Sequence, residues 1–131
     1  MLSKCDMEVD MDRLFPAHKN LDVWKRALVL AEETYVATRA FPSEERYGLS
    51  AQMRRAAVSV LSNISEGAAR RTRAEYIHFL HIARGSLAEL DAQLALAERL
   101  SFSAGLTALS TEILRVGQLL NAQISALRRL R

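Results

Sequence analysis

The chain contains 131 residues, of which half are apolar, two are proline and one is cysteine, and its formal net charge is +3. This length suits one domain around a single core, and this composition excludes an intrinsically disordered protein. Because Cys5 has no partner cysteine, an internal disulfide framework or a cysteine metal cluster is excluded, and a reducing cytoplasm is favoured. No apolar run of about 18 residues occurs, so we expect a soluble protein without a membrane partner.

The N-terminal segment and the first helix differ in their hydrophobic pattern. Residues 1–17 show no helical period, so we interpret them as a flexible tail that precedes a single domain at residues 18–131. From Asn20, a candidate N-cap, to Phe41, which precedes the helix-ending Pro42, apolar and aromatic residues recur at spacings of three and four. The predicted buried face of this first helix contains Leu21, Trp24, Leu28, Ala31 and Tyr35.

The second predicted helix carries more apolar surface than one helix face needs. It begins between Ser43 and Leu49, and we expect Gly67 to end it in the left-handed conformation that glycine adopts without strain. Its main apolar face contains Leu49, Met53, Ala57, Val60 and Ile64. Val58 and Leu61 add a second apolar strip beside this face.

Two further helices complete an all-α fold. Thr72 and Glu75 form a capping-box pattern that starts a third helix, which ends near Leu100. Its predicted face contains Tyr76, Phe79, Leu80, Ala83, Leu87, Leu90 and Leu94. The fourth helix follows Ser103 and keeps a heptad rhythm that only Gln123 interrupts. Its heptad positions are Leu106, Leu109, Ile113, Val116, Leu120, Leu127 and Leu130. Four amphipathic helices with short connections predict an antiparallel, up-down-up-down four-helix bundle.

Polar and small residues recur on the second and third helices at positions that suggest packing. On the second helix they form a stripe, which is either a solvated face or a contact with another helix or another subunit. We favour the contact, because Ser59 and Asn63 are poor helix formers among apolar neighbours. We predict structural or assembly roles for Gln52, Arg54, Arg55, Ser59, Asn63, Glu66, Gly67, Arg84, Gly85, Ser86 and Glu89.

The turn between these two helices predicts one specific polar contact. An antiparallel turn over residues 67–72 brings Arg54 and Arg55 to the level of Gly85, near Glu89. We therefore predict a charge-assisted hydrogen bond from one of the two arginines to Glu89. Gly85 either lets the helices approach closely or is only tolerated, at a cost of about 1 kcal/mol relative to alanine.

Two spacings near the start of the third helix are typical of enzymes. Glu75 and His78, with His81 one turn further, have the Glu-x-x-His spacing of di-iron bundles. Such a centre needs a second Glu-x-x-His, which this chain lacks, so we expect no metal and no other cofactor. Arg73 and His78 have the spacing of metal-independent HEPN ribonucleases, in which the histidine acts on the ribose hydroxyl and the arginine stabilises phosphate charge. The alternative is that both are ordinary first-turn residues.

Two arginine clusters are the remaining signal. One cluster lies around the turn before the third helix and contains Arg70, Arg71 and Arg73. The other lies at the end of the heptad region and contains Arg128, Arg129 and Arg131. Each cluster either contacts the phosphates of a nucleic acid or complements the carboxyl-terminal dipole of the preceding helix. Aromatic residues that would stack on bases are not interleaved with these arginines. The clusters therefore leave nucleic-acid binding open without indicating it.

Several short sequence motifs between residues 21 and 100 resemble those of one family. They are Leu21-Asp22-Val23-Trp24, Phe41-Pro42, Tyr47-Gly48-Leu49, Gln52-Met53-Arg54-Arg55-Ala56-Ala57-Val58-Ser59, Asn63-Ile64-Ser65-Glu66-Gly67, Phe79-Leu80, Ala83-Arg84-Gly85-Ser86 and Glu89-Leu90. In this order they resemble the bacterial four-helix-bundle proteins encoded in intervening sequences of large-subunit (23S) ribosomal RNA genes. Leu61 stands where that family usually has proline, and Ser65 where it usually has alanine.

The resemblance implies a cytoplasmic homopentameric bundle with no enzymatic activity. It also implies the architecture of the accessory protein of diversity-generating retroelements, which binds nucleic acid and a reverse transcriptase. The apolar width of the second and third helices agrees with assembly, because it exceeds what one four-helix core buries. We therefore expect a non-enzymatic, homo-oligomeric interaction module, a pentamer, whose assembled surface binds RNA or a nucleic-acid-associated protein. The alternative is a bundle ribonuclease that uses Arg73 and His78.

Overall fold

The computed structural model describes residues 21–130, and this part of the chain is built from four α-helices without a β-strand. The helices are α1 (Asp22–Arg39), α2 (Leu49–Ala68), α3 (Arg73–Arg99) and α4 (Thr107–Arg129), with a short 3₁₀ helix at Ser43–Glu45. The predicted all-α class and its four helices are confirmed. The predicted tail and the candidate cap Asn20 lie outside the described residues. Within residues 21–130, each helix is too short or too polar to serve as a membrane span.

Neighbouring helices of the bundle run antiparallel. Trp24, near the start of α1, donates a 2.8 Å hydrogen bond to Ser65, near the end of α2. Thr38, at the other end of α1, accepts a hydrogen bond from Arg54, near the start of α2. The contacts of α2 with α3 and of α3 with α4 reverse direction in the same way. Since α4 also packs against α1, each helix contacts two others around one core, as in the predicted bundle.

The apolar faces predicted for α2, α3 and α4 form most of the core. Their buried side chains include Met53, Ala57, Val60, Ile64, Leu80, Ala83, Leu87, Leu90, Leu94, Leu109, Ile113, Val116 and Leu120. Near the end of α4 the buried position moves from the predicted heptad series to Ile124, and Leu130 is exposed. A straight α-helix drifts by about 20° per heptad, so a face that begins on a strict heptad rhythm leaves it after a few repeats.

The buried face of α1 differs from the predicted one. Leu28 and Tyr35, which the prediction placed in the core, are 42% and 40% exposed. Of the predicted face Ala31 is buried, and the core also receives Val23, Ala27, Leu30, Thr34 and Ala37. Thr34 is fully buried and donates its hydroxyl to the backbone carbonyl of Leu30, so its polar group is satisfied inside the helix. Small side chains let α1 lie close to its neighbours, and close packing here prevails over the burial of two larger side chains.

Gly67 has a different role from the predicted one, whereas Gly85 fits one of the two alternatives that the sequence left open. Gly67 lies inside α2 and does not adopt the left-handed conformation, so the predicted helix end at this glycine is wrong. A Cβ at this position would lie 2.8 Å from Cβ of Phe79 and 3.2 Å from the carbonyl oxygen of Tyr76. Gly67 therefore permits the close approach of α2 and α3. At Gly85 a Cβ would meet no atom within 4 Å, so within one chain this glycine is tolerated and not required.

Candidate nucleic-acid interface

Three helix ends meet at one end of the bundle. α2 ends at Ala68, α3 begins at Arg73 and α4 ends at Arg129, and antiparallel packing places these ends side by side. The guanidinium group of Arg73 donates a hydrogen bond to the backbone carbonyl of Leu130. This contact brings the two predicted arginine clusters together. The resulting surface, the basic end, contains Arg70, Arg71, Arg73, Arg128 and Arg129, whereas Arg131 lies outside the described residues.

The arginines of the basic end differ in how they are held. Arg70 forms a 2.7 Å ion pair with Glu66, and its guanidinium carbon lies 4.6 Å from the centre of the Phe79 ring. The two side chains of this pair are 42% and 52% exposed, so the pair contributes little stability and mainly orients Arg70. Arg71 and Arg129 are exposed, and the described residues provide neither of them with a hydrogen bond or an ion pair. Their guanidinium groups are open to an external anion.

His81 lies between two arginines where α3 faces α4. Nη2 of Arg84 is 2.9 Å from Nδ1 of His81, and Nη2 of Arg128 is 3.1 Å from Nε2. Arg84 also donates from Nη1 to Oδ1 of Asn121, at 3.1 Å. Burial lowers the pKa of His81. Electrostatic interactions with Arg84, Arg128 and His78 lower this pKa further, so His81 is uncharged at neutral pH.

The polar stripe of α2 divides into a paired part and an exposed part. Oγ of Ser59 lies 2.8 Å from Oγ of Ser86 on α3. Asn63 donates from Nδ2 to the backbone carbonyl and to the hydroxyl of Ser59, at 2.8 and 3.1 Å. The remaining residues of the stripe are exposed: Gln52, Arg55 and Glu66. The structure thus brings three of the predicted assembly residues together between two helices and leaves the others on the surface.

Arg54 packs against α1 and not against α3. Its Nε donates to Oγ1 of Thr38 at 2.8 Å, and its guanidinium carbon lies 4.5 Å from the centre of the Tyr35 ring. Glu89 is exposed and forms no ion pair with any described residue. The predicted bond from Arg54 or Arg55 to Glu89 is therefore wrong within one chain. Matching levels along two helices does not fix the direction in which each side chain faces, and α1 offers Arg54 both a hydroxyl and an aromatic ring.

Arg73 and His78 contact different neighbours. Arg73 reaches the end of α4 through Leu130, whereas the ring of His78 lies against Phe79, with 5.5 Å between the ring centres. Five residues along an α-helix correspond to a rotation of about 140°, so the two side chains leave α3 in different directions. For the spacing of Glu75 and His78, residues 21–130 contain no group of three or more histidine, cysteine or carboxylate side chains that could hold a metal.

Several cross-helix contacts were not predicted from the sequence, among them two that involve α1. Arg26 on α1 forms an ion pair with Glu112 on α4, and Glu112 is buried. Ser65, where the resemblance implies alanine, accepts the hydrogen bond from Trp24. The partners are 86 and 41 residues apart in the sequence, so no local pattern connects them. The same holds for the position of His81 beside Arg128, 47 residues away.

Comparisons with known proteins agree with this fold. The chain is similar to a protein of unknown function from the S23 ribosomal protein family of Bacteroides thetaiotaomicron, with a TM-score of 0.73 and 22% sequence identity. The alignment covers 82% of this chain and 98% of that one, and at this identity the likeness concerns the fold alone. A comparison with curated proteins finds no match. The sequence profile of the 23S rRNA-intervening sequence proteins matches residues 19–122, most of the chain. The chain therefore belongs to the 23S rRNA-intervening sequence protein family.

Proposed function

We propose that the chain is a non-enzymatic interaction module that binds RNA through its basic end without sequence preference. The observation that carries this proposal is the hydrogen bond from Arg73 to Leu130, which joins two arginine clusters into one surface. Within the described residues, Glu66 is the only carboxylate that forms an ion pair with an arginine of this surface. Phosphate contacts supply most of the sequence-independent affinity for nucleic acids, so a surface of five arginines with one paired carboxylate suits an RNA backbone.

The lack of sequence preference follows from the surroundings of these arginines. Reading a single-stranded base requires an exposed ring for stacking or a convergent set of donors and acceptors. Phe79 is half-buried, and Arg70 lies over its ring, so this ring is not free to stack on a base. We therefore expect backbone contacts to dominate.

We also propose that the module acts as a homo-oligomer, with a pentamer as the expected state. Large apolar side chains remain exposed on all four helices: Leu28, Tyr35, Val36, Val58, Ile82, Leu96 and Leu114. Gly85 has open space in front of it on the surface of α3, which would let a helix of another subunit approach. A ring would repeat the basic end in every subunit, so modest contacts would combine into a higher overall affinity.

Titration of labelled single-stranded RNA at several salt concentrations tests RNA binding. We expect the parent protein to bind at low salt, with a slope of log affinity against log salt of about −0.7 per phosphate neutralised. The test variant replaces three arginines of the basic end with glutamine: Arg70, Arg71 and Arg73. It should bind at least about tenfold more weakly and show a shallower slope, because it neutralises fewer phosphates.

A matched control removes the same charge from the opposite end of the bundle. It replaces three exposed arginines with glutamine: Arg39, Arg46 and Arg99. The control should bind RNA like the parent. No binding by the parent at low salt, or an equal loss in both variants, would contradict the proposal. RNA should also stay intact in these mixtures, whereas cleavage that disappears with His78→Ala would support the ribonuclease alternative.

A further inference from the structure

We propose that His81, Arg84 and Arg128 form a phosphate-binding centre, and that protonation of His81 strengthens it. The inference deepens the proposed function and rests on it for the source of the phosphate, an RNA backbone. It rests on the geometry of three side chains from α3 and α4, which meet at the edge of the basic end.

The hydrogen-bond donors around His81 do not match its ring nitrogens. Both ring nitrogens of His81 face a guanidinium nitrogen, at 2.9 Å for Arg84 and 3.1 Å for Arg128. An arginine only donates, and a neutral imidazole accepts on one nitrogen and carries its proton on the other. In either tautomer, one of these two contacts therefore places donor against donor. A phosphate oxygen between the groups would accept from both sides and remove the mismatch.

The groups around the imidazole of His81 are predominantly positively charged. The titratable and charged groups that face His81 are His78 and Arg84 on α3 and Arg128 on α4. No described carboxylate forms an ion pair with Arg84 or Arg128. Asn121 accepts from Arg84, but an amide oxygen carries no compensating charge. The centre is thus a concentration of positive charge that no described carboxylate neutralises through an ion pair.

The surroundings limit where the anion can lie. Arg84 and Asn121 also line an open groove of about 580 Å³ between α3 and α4, but Asp91 lies further along the same groove. The carboxylate of Asp91 repels a phosphate, so the favourable position is at the His81 end. Arg128 belongs to both the centre and the basic end, and a nucleic-acid strand on the basic end would continue directly onto the centre.

The direction of the pH dependence follows from the charges. In the free protein, burial and the neighbouring positive charges hold the pKa of His81 below its usual value, so the ring is neutral at pH 7. A bound anion favours the imidazolium form and raises this pKa. The affinity for the anion should therefore increase as the pH falls from the pKa of His81 in the bound state to its lower pKa in the free state. Below the pKa of the free state the affinity should no longer change with pH. Each unit by which binding raises the pKa corresponds to an affinity gain of about tenfold.

The first experiment follows the pKa of His81 by NMR with sulfate as the probe. Sulfate keeps its double charge over the range of about pH 5 to 8 in which histidine titrates, so any pH dependence belongs to the protein. We expect sulfate to raise the pKa of His81 in the parent, and not in the double variant Arg84→Gln with Arg128→Gln. The control Arg39→Gln with Arg99→Gln should respond like the parent. A pKa of His81 that does not respond to sulfate would overturn the inference.

The second experiment measures RNA affinity at constant ionic strength between about pH 8 and pH 5.5, within the titration range of histidine. The parent should bind more tightly at the lower pH, whereas His81→Gln, which has no imidazole at position 81, should show a flatter profile. The same profile in both proteins would overturn the inference. If RNA binding depends on the basic end but not on pH, and sulfate does not change the pKa of His81, the proposed function is supported and the phosphate-binding centre is contradicted. If sulfate raises the pKa of His81 but RNA does not bind, the centre survives and the proposed function does not.

Discussion

Arg73, in the first turn of α3, donates a hydrogen bond to the backbone carbonyl of Leu130, the residue that follows α4. The last carbonyls of a helix have no partner inside the helix and carry the negative end of its dipole. One arginine therefore satisfies the end of α4 and holds one arginine cluster beside the other. Arg73 thus contacts the chain directly after α4, while Arg71 and Arg129 stay exposed for the phosphate contacts that we propose.

Replacing Gly67 by alanine should destabilise the bundle. The added Cβ would lie 2.8 Å from Cβ of Phe79, which forces α2 and α3 apart or distorts them. We expect the free energy of unfolding to fall by about 1–3 kcal/mol, the range for overpacked cores. Gly85→Ala is the matched control within one subunit, since its Cβ meets open space there, and in the monomer it should raise the free energy of unfolding by up to about 1 kcal/mol. Urea unfolding followed by circular dichroism measures both, and equal midpoints for Gly67→Ala and the parent would contradict the close approach.

Replacing Glu112 alone should lower the free energy of unfolding more than replacing both members of its ion pair with Arg26. In Glu112→Ala, Arg26 keeps its charge on a side chain that is only 32% exposed. We therefore expect the free energy of unfolding to fall by about 2 kcal/mol. The double variant Arg26→Met with Glu112→Leu replaces both charges by apolar groups and should recover most of this loss. A double-mutant cycle from denaturant unfolding checks the coupling. Additive losses would show that the two residues act independently.

Ser101 is a site where glycine should stabilise the protein. Its φ of 56° lies in the left-handed region, which is unfavourable for a residue with a Cβ, and it directs Phe102 onto the ring of Phe41. Ser101→Gly should raise the free energy of unfolding by about 1 kcal/mol. Ser101→Ala keeps the Cβ and should give no gain. Thermal unfolding of the two variants distinguishes relief of backbone strain from loss of the hydroxyl, since only glycine should raise the melting temperature.

Assembly is tested by the mass of the particle in solution. We expect size-exclusion chromatography with light scattering to give five copies of the 14.7 kDa chain. The physical reason is the set of apolar side chains exposed on the isolated bundle, of which Leu114 is 63% exposed. A monomer mass at every concentration would contradict the proposed homo-oligomer.

Local patterns predicted much of the fold because their causes are local. The hydroxyl of Thr72 accepts from the backbone N–H of Glu75 at 3.1 Å, as the capping-box pattern predicts. Periodic apolar residues likewise predicted the buried faces of α2 and α3, since helical geometry alone places residues such as Leu80 and Leu87 on one side.

The sequence did not reveal features that depend on which helix lies beside which. The buried face of α1 contains Ala27 and Thr34, because the neighbouring helices leave room only for small side chains there. The periodicity of large apolar residues does not encode this. The donor mismatch at His81 likewise depends on the position of Arg128, which the offset between α3 and α4 determines. The sequence indicated the two arginine clusters separately, and their union required the contact between the two helix ends.

Photocrosslinking of RNA that carries 4-thiouridine, followed by identification of the crosslinked peptides, shows whether RNA lies on the basic end. It reports where RNA lies on the unaltered protein and needs no substitution. If RNA binds as we propose, crosslinks should lie within residues 66–84 and 121–130, which contain the basic end and the His81 centre. Crosslinks confined to the opposite end, at residues 39–55 and 99–107, or the absence of crosslinks at low salt, would contradict the proposal.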